Sequence, residues 1–311
     1  MEPKHSDNRM AHVVIVTPSF RFDLERCELL AEGVARFAAR EFRQVVIVPR
    51  KELGLFRDRV GRFGATVLPE EELLPSWLLR LPFSRKWQLS PRGWPVRGWI
   101  RQQVMKIAFA CHSTADALLF ADSDTCIVRP VDGSLLFRPG GRVRLIADPA
   151  DGNVSTHHAW YQGAGRLLGL PREDYSGFGF IGNLVPWVPD VARSMVWRLQ
   201  EVNGVDWRWL LLHQRTLSEY VLYGVFVQKV LGFDAARHVP EAHKQVLEAW
   251  TDDLSDEGLV RFLSTIGPQH VAVHVQSKVR YSLNLYARAI RSVWESGSAA
   301  TQEAGSASTD G

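Results

Sequence analysis

Two aspartates one residue apart, Asp122 and Asp124, interrupt an apolar run in ALLFADSDTCIVRPV, residues 117 to 131. In extended backbone residues i and i+2 point to the same side, so both carboxylates can be aimed at one cation. Hard oxygen ligands suit Mg²⁺ or Mn²⁺, and such an ion can bridge a diphosphate and stabilise its charge as it leaves. Capping or turn duty is the alternative for any Asp-x-Asp. Here the pair breaks a run apolar enough to be buried, where two like charges are costly unless a cation or hydrogen bonds compensate. A second group with related chemistry lies late in the chain, in HVAVHVQSK, residues 270 to 278. Alternation puts His270, Ala272 and His274 on one face of that strand. Imidazole can complete a Mn²⁺ site, and Lys278, just beyond, can pair with a departing phosphate as a point charge. A core histidine and an exposed lysine are the plainer reading of the same residues.

Glu219, in HQRTLSEYVLYG, is a candidate general base for an acceptor hydroxyl, with Asp148 and Asp174 as weaker substitutes. Thr216-Leu217-Ser218-Glu219 is also a capping-box pattern, which would make Glu219 a helix-start device. His157, His158, Trp160 and Tyr161 could line an acceptor pocket, because aromatic faces suit sugars, and Trp160 and Trp187 are the tryptophans expected near an acceptor. Gly177, Gly179 and Gly182 spell G-x-G-x-x-G, yet polar REDYS precedes them and Pro186 and Pro189 follow. A dinucleotide site needs a strand before the glycines and a helix opening at the third, so that reading is rejected.

The elements that must position these groups follow from periodicity. VVIVTPSF, residues 13 to 20, reads as a buried strand, and Leu24, Cys27, Ala31 and Val34 then repeat at helical spacing before a second apolar run, QVVIVPR, residues 44 to 50. Strand, helix, strand is the signature of a parallel α/β unit, whose ligands lie beyond the carboxyl ends of the strands, where Thr17, Ser19 and Phe20 would sit. Residues 75 to 98 show no clean period and read as an irregular excursion. Ile100, Val104, Ile107, Ala108 and Cys111 mark the buried stripe of the next helix, with Gln102, Gln103 and Lys106 on a different face. RVRLIAD, residues 142 to 148, is a further strand, and Pro189 to Asn203-Gly204 a helix with a proline start and a glycine stop. A helix from Tyr281 to Trp294 closes the ordered chain. Residues 1 to 11 are expected to be a flexible arm and 295 to 311 a disordered tail.

The 311 residues are 46% hydrophobic and 23% charged, an ordinary globular composition that excludes collagen-like or disordered classes. No apolar run approaches the roughly 18 residues of a membrane span, and the opening decapeptide has no secretion-signal core, so a cytoplasmic protein is expected. Cys27, Cys111 and Cys126 are too scattered for a disulfide framework or thiolate metal site. The net charge is +3, but from Leu73 to Ala115 there is no acidic residue and seven basic ones. That segment should attract an anion, whether nucleotide phosphate, nucleic acid or an anionic membrane surface, unless it is a solvated basic face. Trp77, Leu78, Leu79, Trp87 and Trp94, interleaved with it, would suit peripheral contact with the inner membrane face. No nucleic-acid reader fold is recognised, and no nucleic acid is expected.

VTPSF after the first strand, RQQVMKIAFA before FADSD, the Gly-rich FGFIGN, SEYVLYG and the late HVQSK follow, in order, the layout of GT-A-type glycosyltransferases. More closely, over residues 12 to 290, the chain resembles a bacterial family of nucleotide-diphospho-sugar-transferase-like proteins of that fold. The resemblance implies an α/β fold, GT-A-like, with a mixed, mainly parallel central sheet flanked by helices. Residues 12–150 would form the nucleotide-sugar-binding half, and 151–294 the acceptor-binding half with the late metal motif. It implies Thr17 and Ser19 near the nucleoside, Asp122 and Asp124 at ribose and metal, His274 at the metal, and Lys106 and Lys278 facing the diphosphate. Gly179 and Asn183 would lie beside the donor sugar. The expected activity is a Mn²⁺- or Mg²⁺-dependent transfer from a nucleoside-diphosphate sugar, a UDP-sugar first, to a hydroxyl of a surface glycan, lipid-linked or small-molecule acceptor. A sugar-phosphate nucleotidyltransferase of related fold and a noncatalytic anion- or membrane-binding module are the rivals.

Overall fold

The computed structural model describes residues 11–80, 87–91, 95–149, 155–172, 177–242, 245–250, 254–279 and 281–306. The chain opens with β1 (Val13–Pro18), buried along its whole length, as an unbroken run of β-branched residues requires. Helix α1 (Leu24–Phe37) carries it back with Leu24, Cys27, Ala31 and Val34 buried. Strand β2 (Phe42–Val48), helix α2 (Leu53–Arg59) and strand β3 (Thr66–Pro69) repeat the unit, and β1, β2 and β3 pair in parallel.

The excursion expected over 75–98 is instead partly ordered. β4 (Leu79–Arg80), β5 (Trp87–Leu89) and β6 (Pro95–Arg97) form a small antiparallel sheet. Strands of two or three residues are too short to leave a period in sequence. Of the residues expected there at a membrane, Trp94 lies outside the described residues; Leu79 is 60% exposed, whereas Trp77 packs on Trp209 with ring centroids 5.2 Å apart. The long helix α3 (Gly98–His112) follows, then β7 (Ala117–Phe120), which pairs in parallel with β1.

β8 (Thr125–Ile127), β9 (Phe137–Arg138) and β10 (Arg142–Ile146) leave the central sheet. Helix α4 (His158–Leu168) leads to β11 (Val185–Trp187), which returns to edge the central sheet antiparallel to β7. The order is β11-β7-β1-β2-β3. Helices α5 (Pro189–Asn203), α6 (Trp207–Leu212) and α7 (Glu219–Val225) cover one face together with α3, α7 running on as a π-helical stretch, Phe226–Leu231. β12 (His238–Glu241) pairs with β10. β13 (Val246–Ala249), helix α8 (Asp256–Ser264) and β14 (Ala272–Val275) complete a three-stranded sheet in the order β13-β14-β8.

The result is one mixed α/β domain with a mainly parallel central sheet. The two halves named from sequence interleave, since β11 extends the sheet of the first half and β8 joins the strands of the second. The last helix, α9 (Leu283–Ser306), runs past Trp294 through residues expected to be a disordered tail. Its first turns are anchored by buried Tyr286, Ile290 and Trp294, and extending a nucleated helix avoids the nucleation cost. Residues 1–10 and 307–311 lie outside the described residues. No described helix is long and apolar enough to cross a membrane.

Candidate functional site

β7 ends at the carboxyl edge of the parallel sheet, and Asp122-Ser123-Asp124 turns the chain there into β8, closed by a hydrogen bond from Thr125 N to Asp122 O of 3.0 Å. The two carboxylates part company. Asp122 reaches towards α3, where Lys106 Nζ donates to its Oδ1 at 3.0 Å, to Glu219 Oε1 at 3.0 Å and to Tyr220 OH at 2.8 Å. Lys106 is 3% exposed. Burial pulls its pKa down, but Asp122, Glu219 and Tyr220 outweigh burial and hold it well above the ordinary lysine value. Burial alone would raise the Asp122 pKa; the Lys106 charge and hydrogen bond, with His274, bring it below the ordinary value. Asp122 is therefore an anion, and a third of its side chain, 34%, still meets solvent.

Asp124 faces the other sheet. Its Oδ1 lies 3.3 Å from His274 Nδ1, and its Oδ2 accepts the Ser277 N–H at 2.8 Å. Burial raises its pKa, His274 opposes this, and Asp122 adds to the rise. The β-ladder fixes His274 in place: Glu248 of β13, His274 of β14 and Thr125 of β8 are cross-strand partners in one row. Paired residues of a sheet project to the same side. Thr125 Oγ1 donates to Asn183 Oδ1 at 3.1 Å and lies 3.5 Å from His274 Nδ1. Asn183 in turn donates from N and Nδ2 to Glu248 Oε1, both at 3.1 Å. Leu184, next to Asn183, is fully buried with φ of 53°, a strained setting for a leucine.

The donor types at Asp124 and His274 fit a divalent cation, and a carboxylate oxygen and an imidazole nitrogen 3.3 Å apart are close to the separation of about 3 Å that adjacent ligands of one such ion take. Asp122 does not complete a cluster, because Lys106 holds it. Among the described residues no group of three or more His, Cys, Asp or Glu is gathered to hold a metal. A cation held by this pair takes its further ligands elsewhere, as Mg²⁺ does when it is held by one or two carboxylates and substrate phosphates.

This geometry corrects several expectations. Lys106 faces two carboxylates and a phenol rather than a diphosphate, and with Gln103 it is buried, because α3 is covered on nearly every side. Glu219, 5% exposed, faces Lys106 rather than an acceptor. Nor does Glu219 act as a capping-box partner: Ser218 caps α7 through Val221 N, and the Glu219 N–H donates to Gln103 Oε1 at 2.9 Å. Trp187 is fully buried, stacked on Tyr223 with ring centroids 4.1 Å apart, so it cannot meet an acceptor. Trp160 stacks on His157 with ring centroids 4.6 Å apart and lies 5.9 Å from the Trp99 ring. Gly179 pairs its backbone with Asp148; Asp174 lies outside the described residues. Thr17 is buried beneath Gln44 Nε2, 3.3 Å away, while Ser19 and exposed Phe20 stand at the carboxyl edge of β1. Lys278 is exposed in the loop that carries Ser277. The basic stretch is partly neutralised, by Lys106 as above and by Arg101 with Glu70 at 3.1 Å.

Sequence reasoning did not find Asp23, Arg26 and Tyr281, or Glu248 and Trp250. Arg26 Nη1 meets Asp23 Oδ1 at 3.3 Å and its Nε donates to Tyr281 OH at 3.0 Å. Burial, partly offset by Arg26, and the nearby Asp124 and Asp122 push the Asp23 carboxyl up to about 6. The place of Asp23 and Arg26 just after β1 was a usable signal, since ligands gather at that edge. Glu248 and Trp250 had no such signal. A model described as a family of unknown function, DUF6492, matches residues 12–290. No curated protein matches the chain.

Proposed function

Because the chain belongs to the DUF6492 family, whose description names no activity, its function is argued from the site, and we propose a divalent-cation-dependent glycosyltransferase of the GT-A type. It would move a sugar from a nucleoside diphosphate to a hydroxyl acceptor. The observation that carries this reading is the meeting of Asp124 and His274 at 3.3 Å, beside the carboxyl edge of a parallel sheet. Asp122 and Asp124 lie 150 or more residues from His274 in sequence, and open α/β sheets bind their ligands at that edge.

In this reading Asp124 and His274 hold the cation, and Asp122, kept anionic and fixed by Lys106, faces the ribose or a bound water. The cation, when bound, neutralises the diphosphate and stabilises it as a leaving group. Ser277 N–H orients Asp124. Exposed Lys278 in the same loop supplies a further positive charge for the phosphates. Lys106, Glu219 and Tyr220 act through Asp122 and are positioning residues.

The test is calorimetric titration of UDP, GDP, CDP and dTDP with and without Mn²⁺. Since the protein supplies few ligands, Mn²⁺ alone should bind weakly, and cation and nucleotide should strengthen one another by about five-fold or more. Asp124→Ala should remove that coupling while the circular dichroism and melting temperature stay near wild type. Undiminished coupling in folded Asp124→Ala would remove the proposal. Release of pyrophosphate from a nucleoside triphosphate and sugar phosphate would favour a nucleotidyltransferase instead.

A further inference from the structure

Beside His274 an aromatic ring and a carboxylate stand together. Trp250 is 45% exposed, yet its ring lies 4.6 Å from the His274 ring at a tilt of 44°. Its Nε1 donates to Glu248 Oε2 at 3.4 Å. Glu248 is held through its other oxygen by the main chain and side chain of Asn183. Gly182 lies against the same carboxylate: a Cβ there would be in ordinary contact with Glu248 Oε1 at 3.8 Å and crowd Ile146 Cδ1 at 3.2 Å.

From this arrangement we infer that Trp250 and Glu248 form the subsite for the glycosyl group of the donor, and determine which sugar it accepts. A pyranose has an apolar C–H face and a rim of hydroxyl donors. An indole face matches the first and an acceptor-only carboxylate the second. The ladder row Glu248–His274–Thr125 puts this pair one strand from the group that holds the cation, and so next to the diphosphate end of the donor, where its sugar begins. A nucleobase would be placed at the far end of the diphosphate. The inference rests on the proposed function above, and adds to it the residues that read the sugar.

The test compares each nucleoside diphosphate with its sugar conjugates: UDP against UDP-glucose, UDP-galactose and UDP-N-acetylglucosamine, and GDP against GDP-mannose, all with Mn²⁺. Trp250→Ala should weaken the preferred nucleotide sugar about tenfold and leave its nucleoside diphosphate within about twofold, and Trp250→Phe should restore most of the loss. Glu248→Gln should narrow the preference between UDP-glucose and UDP-galactose. If nucleoside diphosphates bind and Trp250→Ala weakens them as much as their sugar conjugates, the ring stacks on the base and the subsite falls alone. If no nucleoside diphosphate binds the wild-type protein, the proposed function falls and the subsite with it.

Discussion

Lys106 shows how much one buried charge organises. It is surrounded by Asp122, Glu219 and Tyr220, with Nζ also 4.6 Å from the centre of the Tyr220 ring. Removing one member of a buried charge cluster leaves its partners uncompensated, a loss of roughly 3–5 kcal/mol. Lys106→Met should therefore lower the urea midpoint sharply. Lys106→Met combined with Glu219→Leu should recover part of that stability, because the more deeply buried carboxylate goes too. The double variant would still leave Asp122 unheld, so the mutual strengthening of Mn²⁺ and UDP should stay depressed. Full recovery of that coupling would mean that Lys106 serves packing alone. Nothing in the residues around Lys106 distinguishes a lysine bound to carboxylates from one bound to phosphate, since both are anions; the distinction comes from Glu219 and Tyr220, over a hundred residues away.

Among the elements, α7 does two jobs. Its first residues receive Lys106 and Gln103 from α3, and further along it presses on the segment that leads to Asn183. At Gly224 a Cβ would stand 2.1 Å from Phe180 Cγ, and Phe180 is 1% exposed. Gly224→Ala should thus destabilise the protein by about 1–3 kcal/mol, or more if Phe180 cannot shift, despite the better helix propensity of alanine. Chemical denaturation measures this directly. A neutral or stabilising outcome would mean that the helix and the Phe180 segment are not in register contact. The same elements show where periodicity succeeds and fails. β1, α1 and α5 were legible because their apolar repeats are long and each buries one face or all of them. β13 was not, because four residues with Glu248 in their midst carry no pattern until β14 pairs with them.

For the whole molecule, acid sensitivity follows from one buried histidine. His238 is 1% exposed, with Nδ1 against Val143 O at 2.9 Å and Nε2 against Tyr223 OH at 2.8 Å, while Tyr223 OH accepts the Val188 N–H at 3.0 Å. Burial pushes its pKa down to about 4, with the hydrogen bond to Val143 opposing. The unfolded chain takes up this proton near pH 6.5 and the folded protein only near 4, so between these values the unfolded state binds more protons. The contribution to stability is intact above about pH 6.5 and is lost as pH falls towards 4, amounting to roughly 3 kcal/mol. Urea midpoints at pH 7 and 4.5 should separate more for the wild type than for His238→Gln. Equal separations would show that folding does not lower the proton affinity of His238. This histidine ties β12 and β10 to α7, three elements that no local pattern in the sequence connects, and Tyr223 extends the link to Val188, between β11 and α5.

By itself the sequence determined the parallel strand–helix–strand opening, the buried stripe of α3, the capped span of α5, and the place of Asp122, Asp124 and His274 at strand ends. These are local properties, written in apolar period and in the residues that stop it. Tertiary structure alone decided which charges meet. It turned Lys106 and Glu219 inward to each other, sent Asp122 and Asp124 to different partners, sealed Trp187 in the core and brought Glu248 and Trp250 beside His274. The reason is physical: a side chain's type and spacing set what it can bind, but the dielectric and the partner it finds depend on chain segments a hundred residues away, and those are fixed only when the sheets pair in register.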